Sequence, residues 1–232
     1  MIKRESYMKR IRPFIGNDLV KVLTGIRRSG KSVMLDLIKE ELLDSGVDSS
    51  QFISINFENM SNAHLCTAAA LHDEIIRRAS EIKGKAYLFF DEIQEVDAWE
   101  KCINSFRVEL DCDIYITGSN ARLLSGELAT YLAGRYVEFV VYPFSFAEFM
   151  ELYRSVFPDA DTRQCFSKYL TAGGMPYLSN LRYDDAASRQ YLRDLFNSVE
   201  LKDIVKRNSI RDVDMLERII AYITCNIGTT FS

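Results

Sequence analysis

LVKVLTGIRRSGKSVMLDLI, residues Leu19 to Ile38, holds three local structures in succession. Val20 to Thr24 is a short apolar run with the character of a buried strand. Gly25-Ile26-Arg27-Arg28-Ser29-Gly30-Lys31-Ser32 then has the spacing G-x-x-x-x-G-K-[ST] of a phosphate-binding loop. Val33, Met34, Leu37, Ile38 and Leu42 follow at helical spacing and form one apolar face. The chemistry calls for these residue types in this order. Glycines let the backbone close around phosphate so that successive N–H groups point inward. Lys31 brings a compact positive charge to β/γ oxygens, and the Ser32 hydroxyl is a candidate ligand for Mg²⁺. Both stand in the first turn of the helix, whose dipole favours an anion. A chance match is a poor explanation when a strand precedes the loop and a helix follows it. Gly25, Ile26, Arg27, Arg28, Ser29, Gly30, Lys31, Ser32 and Val33 are therefore the candidate nucleotide-binding residues.

A second acidic signal belongs with the loop. Ala86 to Asp91 (AYLFFD) is a continuous apolar run ending in acid and followed by Glu92, as in a parallel strand buried on both faces. Ligand sites of open α/β sheets lie at the carboxyl ends of the strands, so these acids should meet the loop after the first strand. Asp91 is the second candidate Mg²⁺ ligand, and Glu92 is the candidate that orients or deprotonates an attacking water. Helix capping is the plainer use of an acid, and Asp97 before Trp99 is read that way.

The remaining elements come from periodicity. Strands are expected at Gln51 to Phe57, Asp113 to Thr117 and Tyr136 to Tyr142, with helices at Ala68 to Ser80, around Trp99 to Leu110 and at Leu123 to Leu132. Strands alternating with helices imply an α/β fold: a five-stranded, mainly parallel sheet sandwiched by helices. Ser119 and Asn120 end the fourth strand, where a small polar residue either senses the γ-phosphate or caps the next helix. Arg135 follows Gly134 at the start of the fifth strand. It either holds that turn by a salt bridge or reaches a phosphate in its own or a neighbouring subunit. After Pro143 the pattern turns helical, dividing the chain into a core, residues 1–143, and a helical segment, residues 144–232. The stripes Tyr191, Leu192, Leu195, Phe196, Val199 and Val213, Leu216, Ile219, Ile220, Ile223 read as core-facing. Before the first strand, Pro13 argues against a continuous helix, and Ile11, Phe14 and Ile15 suit either core packing or the side of a nucleotide base.

Composition narrows the class. The chain has 232 residues, 47% apolar and 27% charged, with a net charge of −4. This is a globular composition, and nothing in the charge balance predicts nucleic-acid binding. The five cysteines are odd in number and show no C-x-x-C spacing, which fits reduced thiols in a cytoplasmic protein. No apolar run approaches the roughly 18 residues of a membrane span. No N-K-x-D element for guanine occurs, which disfavours GTP.

TGIRRSGKS, LFFDEIQ, ITGSNARLL, LAGRYVEFVVYPFSFAEF and GGMP together resemble the bacterial and archaeal ATPases of the AAA superfamily whose module is joined to a C-terminal domain of unknown function. The resemblance covers nearly the whole chain from about Arg12. It implies a P-loop NTPase core followed by a small helical lid, with the Walker B strand separated from the phosphate-loop strand by the sensor strand. Gly25, Gly30, Lys31 and Ser32 match Walker A, Asp91 and Glu92 match Walker B, Ser119 or Asn120 matches sensor 1, and Arg135 matches a Gly-Arg pair. ATP and Mg²⁺ are the implied ligands. A homo-oligomer and a DNA or protein partner are compatible with the resemblance. Such proteins usually continue into a winged-helix segment and a further domain, so the chain is expected to be a fragment. The expected activity is Mg²⁺-dependent ATP hydrolysis driving a conformational change. The alternatives are a nucleotide-gated switch or scaffold with little turnover, and a small-molecule phosphotransferase, for which no second substrate signature is present.

Overall fold

A computed structural model describes residues 2–118, 132–197, 205 and 212–228 of the chain. Every residue of β1 (Val20–Thr24) is buried. This strand lies between β4 (Cys112–Thr117) and β5 (Tyr136–Val140), and β3 (Ala86–Asp91) and β2 (Phe52–Asn56) follow beyond β4. The order is β2-β3-β4-β1-β5, and every neighbouring pair is parallel. The expected α/β sheet is present, with β4 standing between β3 and β1.

Side-chain alternation divides the core between the two faces of the sheet. Val22, Leu88, Phe90, Ile114 and Ile116 point to one face and pack with Leu71 and Ile75 of α3 (Ala68–Ala79) and Trp99, Ile103 and Phe106 of α4 (Trp99–Glu109). Leu23, Phe89, Tyr115 and Phe139 point to the other and pack with α2 (Lys31–Asp44) and α1 (Glu5–Ile11). Each large apolar side chain buried this way contributes roughly 1.5–3 kcal/mol. Ile11 belongs to this second core and is fully buried. Helix α1 gives way to a 3₁₀ turn, Arg12–Phe14, at Pro13, where a continuous helix would lose a hydrogen bond. One expected cap is corrected: α4 begins from Ala98 in the left-handed region, with no side-chain cap. Asp97 instead gives its backbone N–H to Cys66 and its carbonyl to Ala68.

The chain falls into two compact units, Met1–Tyr183 and Asp184–Ser232. The boundary drawn at Pro143 lies inside the first, which includes α5 (Phe146–Val156) and α6 (Thr162–Ala172). Both helices begin with capping boxes, Ser145 with Glu148 and Asp161 with Gln164. The second unit contains α7 (Asp185–Leu195) and α8 (Val213–Cys225). Its stripes differ from expectation: α8 buries none of its residues, Ile219 and Ile223 are exposed, and so is Phe196, while Val199 lies outside the described residues. Amphipathic spacing sets which residues share a face, but a partner surface is needed to bury that face. Among the described residues, no helix is long and apolar enough to cross a membrane.

At the amino-terminal end of the central strands, Lys21 and Asp113 are both fully buried. The Lys21 ammonium donates to Asp113 Oδ1 at 2.5 Å and to the Asn17 carbonyl at 3.0 Å. The other oxygen, Oδ2, accepts from the Gly16 N–H and the Tyr115 hydroxyl, each at 2.7 Å. Burial lowers the Lys21 pKa while Asp113 opposes the shift. Asp113→Ala strands a buried charge, and should cost about 3–5 kcal/mol of stability in urea unfolding. A loss below about 1 kcal/mol would contradict this account of the pair.

Candidate nucleotide site

The loop Gly25–Gly30 leaves β1 at the carboxyl edge of the sheet and opens into α2. Gly25 is required by close approach: a Cβ there would lie 2.2 Å from the Val141 carbonyl oxygen, and its φ is 141°. Gly30, the N-cap of α2, has φ 100°. Both positions need conformations that side chains disfavour. Between them Arg28 is also left-handed, and its guanidinium stands 6.0 Å from the centre of the Tyr177 ring. Ser29 is fully buried, and its Oγ has no hydrogen-bond partner among the described residues. A glycine-lined cradle holding an unpaired hydroxyl fits a phosphate group.

Lys31 is 4% exposed, and its ammonium turns back to donate to the Gly25 and Ile26 carbonyls, each at 3.3 Å. Glu92 Oε1 is 3.6 Å from the same ammonium. Sheet order produces this meeting, because β3 ends two strands from β1 at the same edge. Asp91 and Glu92 are both buried. Glu92 has φ 54°, a conformation that costs a residue with a side chain about 1–2 kcal/mol.

Three residues with no assigned role in the sequence organise these acids. The Thr117 hydroxyl donates to Asp91 Oδ1 and accepts the Glu92 N–H at 3.0 Å. Asn56 Nδ2 donates to Asp91 Oδ2 at 2.9 Å, and the Gln94 side-chain amide donates to Glu92 Oε2. Each occupies the end of its strand or the turn after it, so only the strand order could have pointed to them. Ser32 and Val33 are exposed in the first turn of α2, and Ile26 is exposed in the loop. The donor set around the loop is a serine hydroxyl and a carboxylate, a hard-oxygen set that suits Mg²⁺.

Ser119 and Asn120 lie outside the described residues, as does nearly all of the helix expected at Leu123 to Leu132. Arg135 is described, and it is not brought to the loop of its own chain. Its carbonyl accepts the Val20 N–H at 3.0 Å, which puts it at the start of β1, while the loop begins after Thr24. A strand of that length spans about 16 Å, beyond the reach of an arginine. The same-subunit reading of Arg135 is corrected accordingly. Its guanidinium is exposed and donates to Asn104 Oδ1 at 2.8 Å.

The residues following Val141 border a cavity of about 390 Å³, lined by Tyr7, Arg10, Tyr142, Phe144, Glu148 and Tyr169 among others.

A model of the AAA domain matches residues 17–150. The chain is 38% identical over 231 residues to an uncharacterised protein of Haemophilus influenzae, an alignment covering 98% of this chain and 56% of that one. It is 31% identical over 202 residues to an uncharacterised protein of Methanocaldococcus jannaschii, covering 84% of this chain and 44% of the other. The chain thus spans about half the length of the curated relatives it matches. Among solved structures, Caenorhabditis elegans PCH-2 superposes with a TM-score of 0.53 at 16% identity, over 79% of this chain and 59% of that one. A variant of Thermotoga maritima RuvB superposes at 0.51 with 15% identity, over 97% and 71%. The two structures share the fold. The phosphate-type loop, the acidic end of β3 and the family match over all five strands of the sheet lead to one conclusion: this chain belongs to the AAA domain family.

Proposed function

We propose that the chain is an ATPase that binds Mg·ATP at the Gly25–Ser32 loop and hydrolyses it. The observation that carries the reading is the buried Lys31 ammonium standing 3.6 Å from the Glu92 carboxylate at the mouth of a glycine cradle. Among the described residues Lys31 has two backbone carbonyls and Glu92 as partners, and phosphate oxygens are stronger acceptors for its charge. On binding, Lys31 would leave the Gly25 and Ile26 carbonyls and follow the β/γ oxygens. Asp91 is held by two donors, Thr117 and Asn56, so its orientation is set before a ligand enters. Ser32 and Asp91 would hold Mg²⁺, which when bound supplies neutralisation of charge on the phosphate oxygens. Release of Lys31 to the phosphates frees Glu92 Oε1 to orient a water and take its proton, while Gln94 keeps the other oxygen in place. The cavity lined by Tyr7, Tyr142, Phe144 and Tyr169 offers aromatic walls for the base. Coupling of hydrolysis to movement in a DNA or protein partner is part of the same proposal.

A second reading, a switch with little turnover, is favoured by one observation: both Glu92 oxygens are engaged, by Lys31 and Gln94. Glu92→Gln separates the two. As an ATPase the variant should keep Mg·ATP binding while turnover, measured by phosphate release, falls about a hundredfold or more. Turnover equal to that of the wild type would leave the switch reading standing instead.

Arg135 belongs to the proposal only as a residue delivered to a neighbouring subunit. An arginine acting between subunits is worth about 10³ to 10⁵ in rate. Turnover per chain should then rise with protein concentration in the wild type and stay low in Arg135→Ala. A flat specific activity, or near-normal turnover in Arg135→Ala, would remove this role.

A further inference from the structure

Arg4 is 3% exposed, close to the amino terminus, and has left-handed backbone just before α1. Its guanidinium makes four hydrogen bonds: Nε to Glu148 Oε1 at 2.9 Å, Nη2 to Glu148 Oε2 at 3.4 Å, Nη2 to the Tyr142 carbonyl at 2.8 Å, and Nη1 to the Ser29 carbonyl at 3.1 Å. The group lies 4.5 Å from the Tyr7 ring centre and 5.1 Å from that of Phe144. A planar fork of five donors can serve a carboxylate and two carbonyls at once, and an ammonium cannot span the same set.

The acceptors are themselves held. Glu148 is in the α5 capping box, where Oε2 accepts from the Ser145 N–H at 2.8 Å and the Ser145 hydroxyl at 2.9 Å. Burial opposes ionisation of Glu148, but the bonds from Arg4 and Ser145 prevail and hold its pKa below the ordinary carboxylate value. The Tyr142 N–H donates to the Tyr7 hydroxyl at 2.9 Å. The Phe144 N–H donates to the Gly174 carbonyl at 2.7 Å, and a Cβ on Gly174 would lie 2.2 Å from the Phe144 oxygen. The YPFSFAEF and GGMP segments, conspicuous in the sequence but without chemistry of their own, thus build the socket of one arginine. Only one of that arginine's acceptors, the Ser29 carbonyl, lies in the phosphate loop.

That contact has a geometric consequence. In a trans peptide the C=O and the following N–H point in opposite directions. With the Ser29 carbonyl held by Arg4, the Gly30 N–H must face away from Arg4. Arg4 also packs directly on Gly30, since a Cβ there would be 3.6 Å from Nη1. We propose that Arg4 is a positioning residue for the phosphate loop: locked to Glu148, it fixes the Ser29–Gly30 peptide so that its N–H serves the phosphates, and it ties that peptide to α5. The inference rests on the reading of Gly25–Ser32 as an ATP site. It explains why an N-terminal arginine is buried far from its partners in sequence, and why its fork is shared between the loop and the first helix after the sheet.

The test uses the full 232-residue chain and a non-hydrolysable Mg·ATP analogue. Affinity is measured by calorimetry, the Gly30 amide by NMR, turnover with ATP, and folding by thermal melting. Wild type should bind and show a downfield movement of the Gly30 amide. Folded Arg4→Gln should bind about tenfold more weakly and lose that movement, while turnover at saturating ATP stays within about threefold. Arg4→Lys should recover only part of the affinity. Wild-type affinity together with a wild-type Gly30 shift in Arg4→Gln would overturn the inference. If Arg4→Gln does not fold, Glu148→Gln replaces it, with binding about threefold weaker expected and unchanged binding overturning the inference. A wild-type chain that fails to bind Mg·ATP would overturn the ATP reading itself, an outcome distinct from indifference to Arg4.

Discussion

A strand buried on both faces must satisfy all of its backbone groups through neighbouring strands, and β1 does so between β4 and β5. Most of the site follows from that constraint. Parallel pairing places the ends of β1, β3 and β4 on one edge, so Lys31, Asp91, Glu92 and Thr117 meet although they are far apart in sequence. The Val141 N–H donates to the Thr24 carbonyl at 2.7 Å, which brings the Val141 oxygen so near Gly25 that no side chain fits there. Sheet pairing therefore shapes the loop as well as the core.

Among the described residues, three buried ion pairs differ in how completely they are bonded, and the difference separates support from chemistry. Lys21–Asp113 and Arg4–Glu148 are closed sets: Asp113 takes the Lys21 ammonium on one oxygen and two further donors on the other, and Glu148 takes the Arg4 fork across both of its oxygens. Desolvation is costly for such charges, and only thorough hydrogen bonding offsets it. Lys31–Glu92 is different: its nearest approach is 3.6 Å, and Lys31 relies on two backbone carbonyls at 3.3 Å. Long contacts on a buried ammonium leave it ready for a stronger acceptor. The strained backbone at Glu92 belongs to the same locality, where such conformations recur in functional sites.

Much of this was legible in the sequence. The glycine-lysine spacing located the loop, and the AYLFFD run identified a strand buried on both faces with acids at its end. Contacts that depend on strand order were not legible: Asn56 and Thr117 read as ordinary strand-end residues until β2, β3 and β4 are set side by side. Arg4 was hidden for a related reason, since Glu148 lies 144 positions away and nothing local marks either residue as buried. In the other direction, helical spacing overstated the core at α8, because periodicity predicts a face and not the surface that would cover it. Arg135 was conspicuous in sequence beside Gly134, yet parallel register puts it at the opposite end of β1 from the loop.

The central claim is that the Lys31 ammonium serves phosphate rather than the fold. Calorimetric titration of Mg·ATP into wild type and into folded Lys31→Ala tests it most directly. The account predicts saturable binding by the wild type and a loss of affinity of a hundredfold or more in the variant, or roughly 2.7 kcal/mol. Equal affinity in a variant that melts as the wild type does would contradict it.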